Sequence, residues 1–139
     1  PCITSEELKY LAKLPELEHL DLPVHNLTDI TFLNELNQLT RLELSDNQIT
    51  DLSPLKELKQ LKNLALEANQ ITDLSSLKEL KELEILELSG NQISDVSPLK
   101  DLKHLKLLWL QDNQITDLSP LKELRQLTGV YVDGIWYKW

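Results

Sequence analysis

Residues 39–60 read LTRLELSDNQITDLSPLKELKQ, and residues 61–82 read LKNLALEANQITDLSSLKELKE. The two lines superpose with a shift of 22 residues, and the shift recurs. Asn47, Asn69, Asn91 and Asn113 are each followed by Gln and then Ile. A fixed period of this length marks a stack of supersecondary units, each unable to bury its apolar side alone. In such a stack the repeated positions build the scaffold, so function is sought where the repeats disagree.

Each part of the period has a physical reading. Leu42 and Leu44 alternate with Arg41, Glu43 and Ser45, the pattern of a short strand with one buried face. Stacking such strands makes a parallel sheet over a continuous leucine core. Asn47 stands where the chain leaves the strand. Buried there, its amide can both donate and accept, and a ladder to the backbone of its own and the following turn is expected. Asp51 and Ser53 satisfy loose amides on the return side, and Pro54 suits the start of a short helical turn. Leu55 and Leu58 lie three apart, so one side of that turn faces the core.

The pattern Leu39-x-x-Leu42-x-Leu44-x-x-Asn47-x-Ile49, with the phrase NQITDLSPLKEL, resembles the leucine-rich repeat family in its 22-residue class. Bacterial internalins and the repeat-built regulatory subunit of protein phosphatase 1 belong to that class. The resemblance covers roughly residues 11–133. It implies an α/β repeat solenoid: a right-handed superhelix with a concave parallel β-sheet and short 3-10 or helical turns on the convex side. Ligands differ between members of this family, so the resemblance speaks to the fold and not to the partner.

Composition fits one domain. The chain has 139 residues and 41% hydrophobic content, carried mostly by Leu and Ile at the patterned positions. No run of 18 apolar residues occurs, so no membrane insertion is expected. The chain begins Pro1-Cys2 and contains no Met, which reads as a processed chain or excised domain. The lone Cys2 cannot form an intrachain disulfide, unlike the Cys-framed caps of animal extracellular leucine-rich repeat proteins. Resemblance to internalins favours a secreted or cell-surface address, with a cytoplasmic one as the alternative. A monomer is expected.

The ends are read from where the period fails. Residues 1–16 form an N-terminal helical cap: Thr4 and Glu7 have capping-box spacing, Leu8, Leu11 and Leu14 follow at helical spacing, and Pro15 stops the helix. This helix should cover the open end of the core. Residues 17–126 hold five repeats, the first degenerate, with His25 at the ladder position and Thr31-Phe32 for Ser-Pro. Residues 127–139 form a truncated sixth repeat with Val130 and Val132 inward and Ile135 in place of the ladder Asn. The aromatic tail Trp136-Tyr137-Lys138-Trp139 is expected to fold over the exposed core end as a cap and to blunt the edge strand.

The sequence carries no reactive constellation. There is no Gly-rich phosphate loop, CxxC, HExxH or GxSxG, and His19, His25 and His104 do not converge. His25 is read as a substitute rung of the ladder. No catalytic, cofactor or metal residues are assigned. A net charge of −9 and a pI near 4.7 repel phosphate and argue against nucleic acid. The chain reads as a binding module and not an enzyme. The alternative is a structural spacer or an intramolecular regulatory domain cut from a larger protein.

Subtracting the scaffold leaves three outward columns on the sheet. The first is His19, Arg41, Asn63, Ile85, Leu107, Gly129, and the second is Asp21, Glu43, Ala65, Glu87, Trp109, Tyr131. The third is Pro23, Ser45, Glu67, Ser89, Gln111, Asp133. Ile85, Leu107, Trp109 and Tyr131 then form one apolar patch, rimmed by Glu87, Asp112 and Asp133. Glu43, Glu67 and Gln111 complete the candidate partner-binding set. Such a cluster has the look of a protein-binding hot spot, unless a following domain or the chain's own tail covers it. Acids are in excess on this face, so the expected partner is a protein with a basic or apolar surface. On the opposite side, columns of Lys56, Lys78, Lys100 and Lys122 alternate with Glu57, Glu79, Asp101 and Glu123, which reads as solubility.

Overall fold

The computed structural model describes residues 5–23 and 26–138. Thr4, His25 and Trp139, and with them the capping box and the first rung of the ladder, lie outside the described residues. Among the described residues, seven strands form one sheet in chain order. They are β1 (His19–Asp21), β2 (Arg41–Glu43), β3 (Asn63–Ala65), β4 (Ile85–Glu87), β5 (Leu107–Trp109), β6 (Gly129–Val132) and β7 (Ile135–Lys138). β1 to β6 run parallel, each offset by one period: Leu42 pairs with Leu64, Leu64 with Leu86, Leu86 with Leu108. The return path of each repeat carries a 3-10 turn, such as Ser53–Leu55 and Ser97–Leu99, with Pro in the first turn of both. This is the expected solenoid.

β1 to β5 are three residues long because only Leu42 and its equivalents point inward within them before the chain must turn. The inward leucines, the ladder-side isoleucines and the leucines of the 3-10 turns fuse into one core running from Leu8 to Val132. Each fully buried leucine contributes about 1.5–3 kcal/mol relative to exposure.

The ladder is built as a link to the preceding repeat, not the following one. The Asn69 side-chain oxygen accepts from the Ile49 amide at 2.9 Å. Its nitrogen donates to the Leu44 carbonyl at 3.0 Å and, within its own turn, to the Leu66 carbonyl at 3.1 Å. Asn47, Asn91 and Asn113 repeat this set. One buried side chain thus satisfies backbone groups of two turns. On the return side Asp51, Asp73, Asp95 and Asp117 each accept from the amide of the Ser two residues on at 2.9 Å. Asp29 does the same for Thr31.

The helix α1 spans Ser5–Leu11 and ends before the expected Pro15. Leu8 enters the core, while Leu14 is 51% exposed, because the chain leaves the helix in successive tight turns (Lys13 to Tyr10, Leu14 to Leu11). α1 packs against the first 3-10 turn, Thr31–Glu35.

The tail departs from expectation most. It blunts the edge strand as expected, but by strand pairing. β7 turns back antiparallel on β6, with Val132 opposite Ile135 and Tyr131 opposite Trp136, and so extends the sheet sideways. Asp133 and Gly134 make the two-residue connection with φ of 52° and 74°, the positive values that a tight hairpin turn demands.

Candidate functional site

The register sets the columns side by side. Ile85 lies beside Leu107, and Glu87, Trp109 and Tyr131 are successive neighbours in the second column. Neighbouring strands are roughly 4.8 Å apart, so these side chains touch along the sheet. Ile85, Leu107, Trp109 and Tyr131 are all half-buried on the outward face. The structure brings these four together, and it adds a fifth member absent from the sequence-derived set.

That member is Trp136. From β7 its ring reaches over the second column, with centroids 6.2 Å from Tyr131 and 5.8 Å from Trp109, both tilted. Gly129 makes room: a Cβ there would overlap the Trp136 ring. The indole rests on bare backbone where the other members of the first column carry side chains, an aromatic filling an edge glycine's gap. The C-terminal end of the patch is therefore roofed by the chain's own tail, and Trp136 itself is 46% exposed. Gln111 and Asp133 belong to this corner. The Gln111 side-chain oxygen accepts from the Gly134 amide and holds the hairpin turn, of which Asp133 is the first residue.

N-terminal to the roof the face opens into a hollow of about 320 Å³. Ala65, Ile85 and Trp109 supply its apolar lining, and Asp21, Glu43 and Glu87 its carboxylates. Arg41 and Asn63 stand at its first-column side. Glu43 is held in place, its carboxylate accepting from the Ser45 amide at 2.7 Å. Burial pushes the Glu87 carboxyl above its ordinary value, and the negative charges of Glu43 and Glu67 push it further the same way. Arg41 makes no ion pair with a described residue within 4.0 Å.

The remaining positions are placed differently. Glu67 is exposed, whereas Ser45 of the same column is buried, its hydroxyl without a hydrogen-bond partner among the described residues. Asp112 sits with φ 57° just before the ladder Asn113, the slot filled by Asp46, Ala68 and Gly90 in earlier repeats. Asp and Gly tolerate this left-handed region better than most residues, although Ala68 adopts it as well. A larger hollow of about 660 Å³ lies on the other side, between the charged columns of the fourth and fifth repeats. Its Lys100, Asp101, Lys122 and Glu123 alternate in sign and no aromatic lines it. His19 and His104 are exposed on different turns, and among the described residues no group of three or more His, Cys, Asp or Glu could hold a metal ion. Among the described residues no helix is long and apolar enough to cross a membrane.

A solenoid of 22-residue units with a paved, hollowed sheet face defines a class, and comparison with known proteins agrees. A family model described as Leucine Rich repeats (2 copies) matches residues 37–79 and 81–128. The chain belongs to the leucine-rich repeat family, whose members serve mainly as protein-binding modules. Among solved structures, internalin C2 of Listeria monocytogenes is 42% identical with a TM-score of 0.87, over 89% of this chain and 55% of that one. Internalin F of the same organism is 39% identical with a TM-score of 0.87, over 91% of this chain and 37% of that one. The chain therefore spans about half of the one and just over a third of the other. The ectodomain of the Arabidopsis thaliana receptor kinase GASSHO1/SCHENGEN3 was solved in complex with CASPARIAN STRIP INTEGRITY FACTOR 2. It is 26% identical with a TM-score of 0.74, over 89% of this chain and 16% of that one. No curated protein matches the chain.

Proposed function

We propose that this chain is a non-enzymatic recognition module that grips a protein partner on the concave sheet face, with Trp109 at the centre of the contact. The observation that carries this reading is the continuity of Ile85, Leu107, Trp109 and Tyr131 in adjacent strand positions, half-buried and bordered by carboxylates. Rigid aromatic anchors with a polar surround concentrate binding energy at interfaces. Trp136 strengthens the reading, because a tryptophan already braced on one side loses little freedom when a partner packs on the other. Glu43, Glu67 and Glu87 make the face acidic, which suits a partner with a basic and apolar surface. That a plant relative was solved with a bound factor, and that internalins share the fold, are consistent with recognition through the solenoid.

The test is a comparison on one captured partner. Trp109→Ala should weaken binding by at least about 2 kcal/mol, whereas the convex variant Lys78→Ala should leave it unchanged. Loss of binding with Lys78→Ala alone would move the interface to the opposite side and refute this reading.

A further inference from the structure

The second column reads Glu43, Ala65, Glu87 across three adjacent strands. Because Ala65 carries only a methyl group, the two glutamates flank a slot about two strand spacings wide, roughly 9–10 Å between their backbones. That is room for one inserted side chain. Ile85 and Ala65 line the slot with carbon, Trp109 closes it next to Glu87, and Asp21 adds a further carboxylate beyond Glu43. The structure holds Glu43, which lines the hollow, by its bond to the Ser45 amide, so one carboxylate is already fixed in place.

We propose that this slot receives a single basic side chain of the partner protein, arginine in preference to lysine, with its stem on Ala65 and Ile85 and its charged head between Glu43 and Glu87 against Trp109. The proposal rests on the sheet face being the recognition surface, and it names the chemistry read there. A guanidinium is flat, bridges two carboxylates and stacks on an indole, three properties that an ammonium shares only in part. The charges of Glu43 and Glu67 that bear on Glu87 are both of its own sign, and among the described residues no basic group forms an ion pair with it within 4.0 Å. An arriving cation supplies one. The single basic group of the hollow, Arg41, belongs to the first column beside Asn63 and is unpaired within 4.0 Å among the described residues, so it competes for the slot but does not neutralise it.

The experiment uses the whole chain and a defined probe: an acetylated, amidated pentapeptide Ser-Ala-Arg-Ala-Ser, beside the same peptide with citrulline in place of arginine. Nuclear magnetic resonance follows the Trp109 indole N–H and the Ala65 methyl. The arginine peptide should shift both saturably, the citrulline peptide should not, and Glu87→Gln should weaken the response by roughly fivefold. Arg41→Ala should tighten it. Glu87→Gln is nearly isosteric, and an unchanged spectrum elsewhere confirms that it folds. Equal responses to arginine and citrulline, indifference to Glu87→Gln, or shifts confined to Glu57 and Glu79 on the convex side would each overturn the proposal. If the slot fails this test while partner capture still depends on Trp109, the cation reading falls and the recognition surface stands.

Discussion

Positions 69 and 135 occupy the same place in the 22-residue period, yet they solve different problems. Asn69 is buried and ties two turns together through the Ile49 amide and the Leu44 carbonyl. Ile135 is 51% exposed and offers no amide side chain to the turn before it. The equivalent of Ile49 there, Ile115, gets no ladder partner, and the chain instead reverses through Asp133-Gly134 into an antiparallel strand. An interior turn is tied to the turn before it by its own Asn and to the turn after it by the next Asn. A last rung has a neighbour on one side only, and must cover an edge strand that would otherwise invite pairing with another chain. The difference teaches that repetition builds the array but cannot end it.

The largest expected break in this comparison is at the interior rung. Asn69→Ala should cost about 1–3 kcal/mol, because the Ile49 amide and Leu44 carbonyl lose their partner in a dry setting. Glu67→Ala, two residues away and exposed, should stay within about 0.5 kcal/mol. Chemical denaturation of both variants measures the contrast, and equal losses would contradict the ladder's role.

Truncation after Val132 tests the other side. Removing the hairpin bares the β6 edge and unroofs Tyr131, which should cost about 1–2 kcal/mol and promote concentration-dependent association. Sedimentation and thermal melts at several concentrations read both effects. A truncated chain that stays monomeric with an unchanged melting temperature would show that the hairpin does not close the array.

How much of this was legible follows the same division. The period reported the interior without ambiguity, since every inward Leu and every ladder Asn is stated several times and the strand register follows from a shift of 22. The ladder's direction was not legible, because an amide at the strand exit can face either neighbour. The hairpin in the tail was not legible for a specific reason. Fitting Ile135 into the ladder slot hid the local pattern Val132-Asp133-Gly134-Ile135, in which Asp-Gly between apolar residues is a strong hairpin signal. Trp136 was missed with it, since only the antiparallel register sets that ring over Gly129 and beside Trp109. The hollow was half visible: its columns were named, but the gap at Ala65 matters only once Glu43 and Glu87 are seen to flank it. Leu14 shows the limit of spacing at chain ends, where three leucines at helical intervals did not sustain a helix past Leu11.

A smaller effect sharpens the picture of the roof. Gly129→Ala should drive Trp136 off the sheet, costing about 0.5–1.5 kcal/mol of ring packing. With Trp136→Ala already present, the same change should cost almost nothing, because the added methyl then meets no ring. The coupling in this double-mutant cycle is the measurement. Additive losses would mean that Gly129 serves a need of its own backbone instead.

The smallest effect distinguishes the return-side aspartates from the sheet-face glutamate by the sign of their pH dependence. Asp51 and Asp95 lie below their ordinary value of 3.8, chiefly because the amides of Ser53 and Ser97 donate to the charged form. Asp117 is lowered too, by the Ser119 hydroxyl first and its amide second. A carboxyl with a depressed folded pKa binds fewer protons folded than unfolded, so its contribution is complete above about pH 4 and is lost as pH falls through the lower folded value. Glu87 runs the other way. Its raised pKa means that the folded state holds the proton longer, so stability declines as pH rises through that value. In Asp51→Asn, Asp95→Asn, Asp117→Asn the side-chain oxygens still accept from the serines, so the fold persists while the slope of stability against pH below about pH 4 flattens. In Glu87→Gln the acid slope stays and the decline at higher pH disappears. Thermal melts across pH 2–7, run on both variants, separate the two. Identical profiles would mean that neither side of the solenoid titrates as its hydrogen bonds and burial require.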